Sequence, residues 1–310
     1  MHYLAYYNQQ IRAQLALQPS DFRAVLYGQN ISRGSCLSGF SRNLPEQDPR
    51  FRVLNTPNAE NTLVGLGFGM MLNGVSSLFF MKQLDFLLLG LDQIVNTWNM
   101  LRTQSPQAAF SILPVVVDIG YQGPQSSFNN LSDFCNTAGI TGYTPVTQAE
   151  IDTVLGQKML APGFRIITAS QRLFRSDVIT QTPDWQNPAG DIFRYGTGTQ
   201  NLIIARNFAA PAAFELQSEW GGPATTSILN LIATQSEHAP ELEQALAQAK
   251  RIVIMDDSKR HASTLEQVLQ MLPLPEANRW QVLQRQPEPD WYFPNPEHFA
   301  VNATLLEHPA

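Results

Sequence analysis

Charge is scarce in this chain. Only 15% of its 310 residues are Asp, Glu, Lys or Arg, while 44% are hydrophobic. So few charges leave little surface suited to water, which predicts that much of the chain is buried against a partner. The net charge is −6, and this argues against a nucleic-acid partner, which calls for a basic face. Cysteine is nearly absent: Cys36 and Cys135 stand alone, without metal-ligand spacing. They read as reduced thiols of a cytoplasmic protein. The start, Met1 to Tyr7, lacks the basic stretch of a secretory signal. The apolar stretch 63–81 carries no charge, contains Asn73, Ser76, Ser77 and four glycines, and has no basic flank on its N-terminal side. It reads as a buried helix followed by a buried strand, not as a membrane span.

What is present centres on one acid. Glu60 is the only charged side chain between Arg52 and Lys82. A carboxylate at the edge of so apolar a run is placed to exchange a proton. The alternative is an ordinary first-turn acid favoured by the helix dipole.

Periodicity around Glu60 predicts alternating helices and strands. Residues 1–20 read as an amphipathic helix and 22–28 as a strand ending at Gly28. Residues 32–50 read as a polar loop. Asn55 ahead of Pro57 suggests a helix start, with the helix running over 58–72. Gly65, Gly67 and Gly69 inside it, and Gly74 beyond, are costly in a helix; close approach of another backbone would explain them. A strand at 75–80, a helix at 84–103, a strand at 111–119, a helix at 149–156 and a strand at 165–169 complete an α/β unit with a mostly parallel sheet. A Pro/Gly/Asn-rich linker at 182–190 leads to a smaller α/β unit, with strands at 201–205 and 251–255 and helices at 241–249 and 264–272. The division expected is 1–185 and 186–310.

The run RVLNTPNAENTLVGLGFGMMLNG, residues 52–74, followed by QLDFLLLGLDQIVNTWNMLR, residues 83–102, resembles the β subunit of thiamine-diphosphate-dependent 2-oxoacid dehydrogenases and the pyrimidine-binding half of transketolase. The specific elements are Thr56-Pro57 with Glu60, the glycine helix, and Asp92-Gln93-Ile94-Val95-Asn96. The resemblance implies a pyrimidine-binding domain of mostly parallel sheet flanked by helices, followed by a transketolase C-terminal-like domain. It implies that Glu60 hydrogen-bonds the aminopyrimidine of thiamine diphosphate and that the ring of Phe86 packs on it, with Lys82 also among the cofactor-binding residues.

Other parts of that family's pattern are missing. There is no Gly-Asp-Gly followed some 25–30 residues later by Asn, the motif that holds Mg²⁺ and the diphosphate. The resemblance therefore implies a separate α-type chain carrying that half, in an α2β2 assembly, and no metal ligands on this chain. Gln29 stands where many such β chains have glutamate. Ser126 stands where they have an active-site histidine, and no histidine lies between His2 and His238. Gln29, Ser126 and Ser127 are the candidate substrate-side residues. The implied activity is transfer of an acyl or two-carbon ketol unit from a 2-oxoacid or ketose donor. The alternatives are a non-catalytic interaction subunit or an ordinary dehydrogenase β subunit. Gly65-Leu66-Gly67-Phe68-Gly69 falls inside a helix and so is no phosphate loop, and His261 sits in a charged stretch with no nucleophile elbow to support a hydrolase.

Overall fold

The computed structural model describes residues 1–119, 131–236, 240–257 and 280–284. The first sheet contains β1 (Ala24–Gly28), β2 (Phe51–Asn55), β3 (Ser76–Met81), β4 (Ala109–Val116), β5 (Gly142–Tyr143) and β6 (Gly163–Ile167), in the order β2-β1-β3-β4-β6-β5. A short β7 (Ala169–Ser170) pairs with the end of β4, and every pairing is parallel. All residues of β3 and β4 are buried, as expected where helices cover both faces of a parallel sheet. Parallel strands bring their carboxyl ends to one edge, so Gly28, Asn55, Met81 and Val116 share it. The chain passes from β1 outward to β2 and then back across β1 to β3. This leaves a topological switch point between β1 and β3.

Helices α1 (Tyr3–Ala16), α2 (Glu60–Leu72) and α5 (Gln148–Gln157) fall near their expected positions, α3 (Trp98–Leu101) is a short part of the helix expected at 84–103, and α4 (Leu131–Ala138) stands where no helix is expected. Three expectations are corrected. Residues 51–55 form the edge strand β2. Its last residue, Asn55, does not cap α2: its Oδ1 accepts from the Ile31 and Ser32 amides at 2.8 and 3.2 Å, and α2 begins at Glu60 without a side-chain cap. The helix expected at 84–103 is broken into a 3-10 stretch (Leu84–Gly90), a π turn (Gln93–Thr97), α3 and a 3-10 turn (Arg102–Gln104). Its buried positions explain the change. Leu84, Leu87 and Gly90 recur every three residues, and Gly90, Ile94 and Trp98 every four; the first spacing is that of a 3-10 helix. Finally, no backbone approaches the α2 glycines. A Cβ on Gly67 would lie 2.3 Å from the Phe110 ring, whereas Gly69 faces open space. Gly74, at φ +73°, terminates the helix: its amide bonds the Met71 carbonyl, and the Val75 amide bonds that of Met70, a Schellman arrangement.

The second sheet has β8 (Trp185–Gln186), β9 (Ile192–Tyr195), β10 (Asn201–Arg206), β11 (Thr226–Leu231), β12 (Arg251–Asp256) and β13 (Trp280–Gln284), in the order β13-β12-β10-β11-β9-β8. The four strands β13 to β11 are parallel, and β9 and β8 run antiparallel at one edge. Part of the expected linker is thus the edge strand β8. Helices α6 (Ala210–Glu219) and α7 (Pro240–Gln248) accompany this sheet; the helix expected at 264–272 lies outside the described residues.

The two sheets share a core. Phe193, Tyr195, Ile203 and Ile228 belong to the same buried cluster as Leu78 and Ile112. Backbone bonds also join them, from the Thr144 amide to the Ile232 carbonyl and from the Thr234 amide to the Gly142 carbonyl, both at 2.8 Å.

Candidate functional site

Glu60 is the first residue of α2, at the carboxyl edge of the first sheet. The residue is 7% exposed, and its carboxylate takes no hydrogen bond or ion pair from the other described residues; its oxygens are not among the fully buried unpartnered polar atoms and so keep some contact with solvent. Four residues earlier, Thr56 has a buried hydroxyl, likewise without a partner among the described residues. Glu60 and the Thr56 hydroxyl are thus two polar groups without described partners, four residues apart at one helix entry.

The Leu84–Gly90 stretch packs on the start of α2. A Cβ on Gly90 would meet Val64 at 2.8 Å and the Glu60 carbonyl at 3.4 Å. Phe86 lies in this stretch, half-buried against the main core. Glu60 and the Phe86 segment are therefore brought together.

Gly28 ends β1 with φ +152°, and a Cβ there would lie 2.1 Å from the Phe80 carbonyl oxygen. Only glycine fits, and it delivers a half-buried Gln29 to the carboxyl edge. Lys82 is exposed and lies just beyond β3. It lines a separate cavity of about 140 Å³ with Asn30, Ser35, Ser38, Gln83 and Gln171, whose lining includes neither Glu60 nor Phe86. Ser126 and Ser127 lie outside the described residues.

Two polar clusters escaped sequence reading because their members are far apart along the chain. Glu150, fully buried, completes a capping box with Thr147 at the start of α5. Its carboxylate accepts from Tyr195 Oη and Asn230 Nδ2, both at 2.7 Å, and from the Val146 and Thr147 amides. It thereby ties α5 to β9 and β11. Burial pushes its carboxyl above the usual range, opposed by these hydrogen bonds. In the second cluster Arg172 reaches Asp257 at 2.7 Å, while Asp118 accepts from the Arg172 amide at 2.8 Å and from Ser170 at 2.5 Å. The other Asp257 oxygen accepts from the Phe208 amide at 3.0 Å. Burial pushes the Asp257 carboxyl up to about 6, although Arg172 pulls the other way. Among the described residues no group of three or more His, Cys, Asp or Glu side chains is placed to hold a metal ion.

No protein-family profile matches the chain. A curated relative is 2-oxoisovalerate dehydrogenase subunit beta 2, mitochondrial, from Arabidopsis thaliana, 25% identical over 178 residues. The match covers 55% of this chain and 48% of the relative, so the chain aligns with about half of that protein's length. Among solved structures, a split-gene transketolase described as an inactive beta4 tetramer superposes with a TM-score of 0.60 at 13% identity, over 91% of this chain and 88% of that one. The chain is thus similar in sequence to a 2-oxoacid dehydrogenase β subunit over about half of its length. Its two sheets follow the transketolase-like fold, and within that fold Glu60 lies at the carboxyl edge of the first sheet.

Proposed function

We propose that this chain is the pyrimidine-binding, β-type subunit of a thiamine-diphosphate enzyme that transfers an acyl or two-carbon ketol unit from a 2-oxoacid or ketose donor. The observation that carries the reading is Glu60, a largely buried acid at a helix entry whose carboxylate is unpartnered among the described residues. It suits a ligand that brings its own hydrogen-bonding group. When bound, thiamine diphosphate supplies the carbon nucleophile and electron sink. Glu60 holds and shares a proton with the pyrimidine ring, as a general acid–base. Phe86 presents a flat ring for offset stacking. Gly28 lets Gln29 approach the substrate side, where an amide can hydrogen-bond a carbonyl or hydroxyl but not transfer a proton; Ser126 and Ser127 are proposed to line the same side. Residues 1–185 form the pyrimidine-binding unit in this reading and 186–310 the C-terminal unit.

Magnesium and the diphosphate are assigned to an α-type partner chain in an α2β2 assembly. A candidate contact face is at hand. Of the ten exposed large apolar side chains among the described residues, six (Leu54, Leu66, Leu72, Leu88, Leu89 and Met100) fall on β2, α2 and the helical stretch that follows. Apolar exposure concentrated in this way marks an interaction surface. Cys36 and Cys135 are both free, which suits a reducing, cytoplasmic setting. No described helix is long and apolar enough to cross a membrane.

The decisive experiment pairs the chain with an α-type chain bearing the Gly-Asp-Gly…Asn motif. Thiamine diphosphate and Mg²⁺ are titrated into the pair calorimetrically, and turnover of 2-oxoacids and sugar phosphates is measured. Glu60→Gln is expected to lower turnover by at least about 100-fold, the scale of a general acid–base contribution; near-full activity in that variant would sink the reading. A second reading, a non-catalytic interaction subunit, is favoured by Gln29 and by the long histidine-free stretch. It predicts complex formation without cofactor-dependent turnover.

A further inference from the structure

The cavity around Lys82 lies at the carboxyl ends of β1, β3 and β4, at the switch point between β1 and β3. Crevices at such points are where open parallel sheets bind ligands. Its chemistry is one-sided. Among the described residues Lys82 is the only charged one lining it, and it makes no ion pair with any of them. Asn30, Ser35 and Ser38 add neutral donors around the ammonium.

The wall is also built rather than incidental. Asn30, Leu37 and Ser38 hold left-handed backbone at φ 54°, 50° and 61°, a region that non-glycine residues rarely occupy and that clusters at binding sites. The loop carrying them is pinned from three sides: Asn55 accepts from the Ile31 and Ser32 amides, Ser41 Oγ donates to the Ile31 carbonyl at 2.8 Å, and Asn8 Nδ2 donates to the Phe40 and Arg42 carbonyls at 2.9 and 3.0 Å. A preorganised wall loses little entropy on binding.

We propose that this cavity binds the anionic end of the donor substrate, a terminal phosphate or carboxylate, with Lys82 supplying the charge and Asn30, Ser35 and Ser38 supplying hydrogen bonds. This makes Lys82 a specificity-determining residue for substrate, not a ligand of the cofactor. The inference rests on the reading of Glu60 given above, because only a chain that engages the cofactor through that acid has a donor substrate to bind. Oxyanions bind such clusters through short charge-assisted hydrogen bonds. A space of about 140 Å³ admits a small anionic group and not a large ring system.

The test uses the full chain and its reconstituted complex. Inorganic phosphate and malonate are titrated calorimetrically into the wild type, Lys82→Gln, Glu60→Gln and Lys250→Gln, the last altering an exposed lysine remote from the cavity. Saturable one-to-one binding is expected in the wild type, at least about tenfold weaker in Lys82→Gln and unchanged in Lys250→Gln and Glu60→Gln. In the complex, Lys82→Gln should raise KM for the donor at least about tenfold with kcat nearly held. Tighter phosphate binding assigns a phosphorylated donor, and tighter malonate binding a dicarboxylic one. No saturable binding of either anion, equal weakening in Lys250→Gln, or an unmoved KM in Lys82→Gln overturns the inference. If Glu60→Gln keeps full turnover while phosphate still binds through Lys82, it is the catalytic reading that fails, and the anion site stands without its link to Glu60.

Discussion

At the scale of single residues, Glu60 and Asp257 are both buried acids, in opposite circumstances. Glu60 was legible in the sequence because it is the one charge between Arg52 and Lys82, and a lone acid in an apolar run has few structural explanations. Asp257 was not, because its partners Arg172 and Phe208 lie 85 and 49 residues away. Its protonation makes a prediction with a definite sign. The carboxyl titrates near 6 when folded, against an ordinary value of 3.8. Between these values the folded state holds a proton that the unfolded chain has released, so the Asp257 contribution to stability falls as pH rises. Relative to Asp257→Asn, the wild type should lose on the order of 3 kcal/mol between about pH 4 and pH 6.5. Urea melts of both proteins across that range measure the difference; a constant difference would show that Asp257 titrates normally. Lys82 was visible as a residue, but its cavity was not, since Asn30, Ser35 and Gln171 meet it only in three dimensions.

Among the elements, α2 shows how glycines alike in sequence differ in consequence. Gly67→Ala would drive a methyl into the Phe110 ring, itself locked edge-on against Phe68 at 5.0 Å and stacked on Phe164 at 5.0 Å. A destabilisation of about 1–3 kcal/mol is expected, the usual scale of overpacking. Gly69→Ala meets nothing within 4 Å and should stabilise by about 0.5–1 kcal/mol, the helix penalty of glycine relative to alanine. Equilibrium denaturation of the two variants tests both signs at once. The strands β1, β3, β4, β10 and β12 were readable from apolar runs. The edge strand β2 and the 3-10 and π character of residues 84–104 were not. Phe86, Leu87, Leu88 and Leu89 are apolar in succession, so no periodicity shows which of them turn inward; the fit of Gly90 against Val64 decides it.

On the scale of the whole molecule, two polar clusters and a shared core hold the sheets together, while β2, α2 and the stretch after it leave leucines in solvent. Leu89 and Met100 are 55% and 74% exposed. Leu89→Asp and Met100→Asp should therefore leave the chain's melting temperature within about 2 °C, as surface changes do, yet abolish co-purification with an α-type chain. Retention of the complex by the double variant would move the partner's seat elsewhere. The scarcity of charge suggests a covered face, and the exposed leucines are where the proposed contact is placed.

The sequence by itself determined the α/β class, the parallel first sheet and the place of Glu60 in the first turn of an apolar helix, because these rest on local periodicity and on composition within some twenty residues. Only the tertiary structure decided that β8 and β9 close the second sheet antiparallel, that Glu150 and Asp257 join the two sheets, and that Lys82 faces a cavity apart from Glu60. Those outcomes depend on which side chains meet across long separations, and a carboxylate or an ammonium takes its chemical character from the groups that surround it.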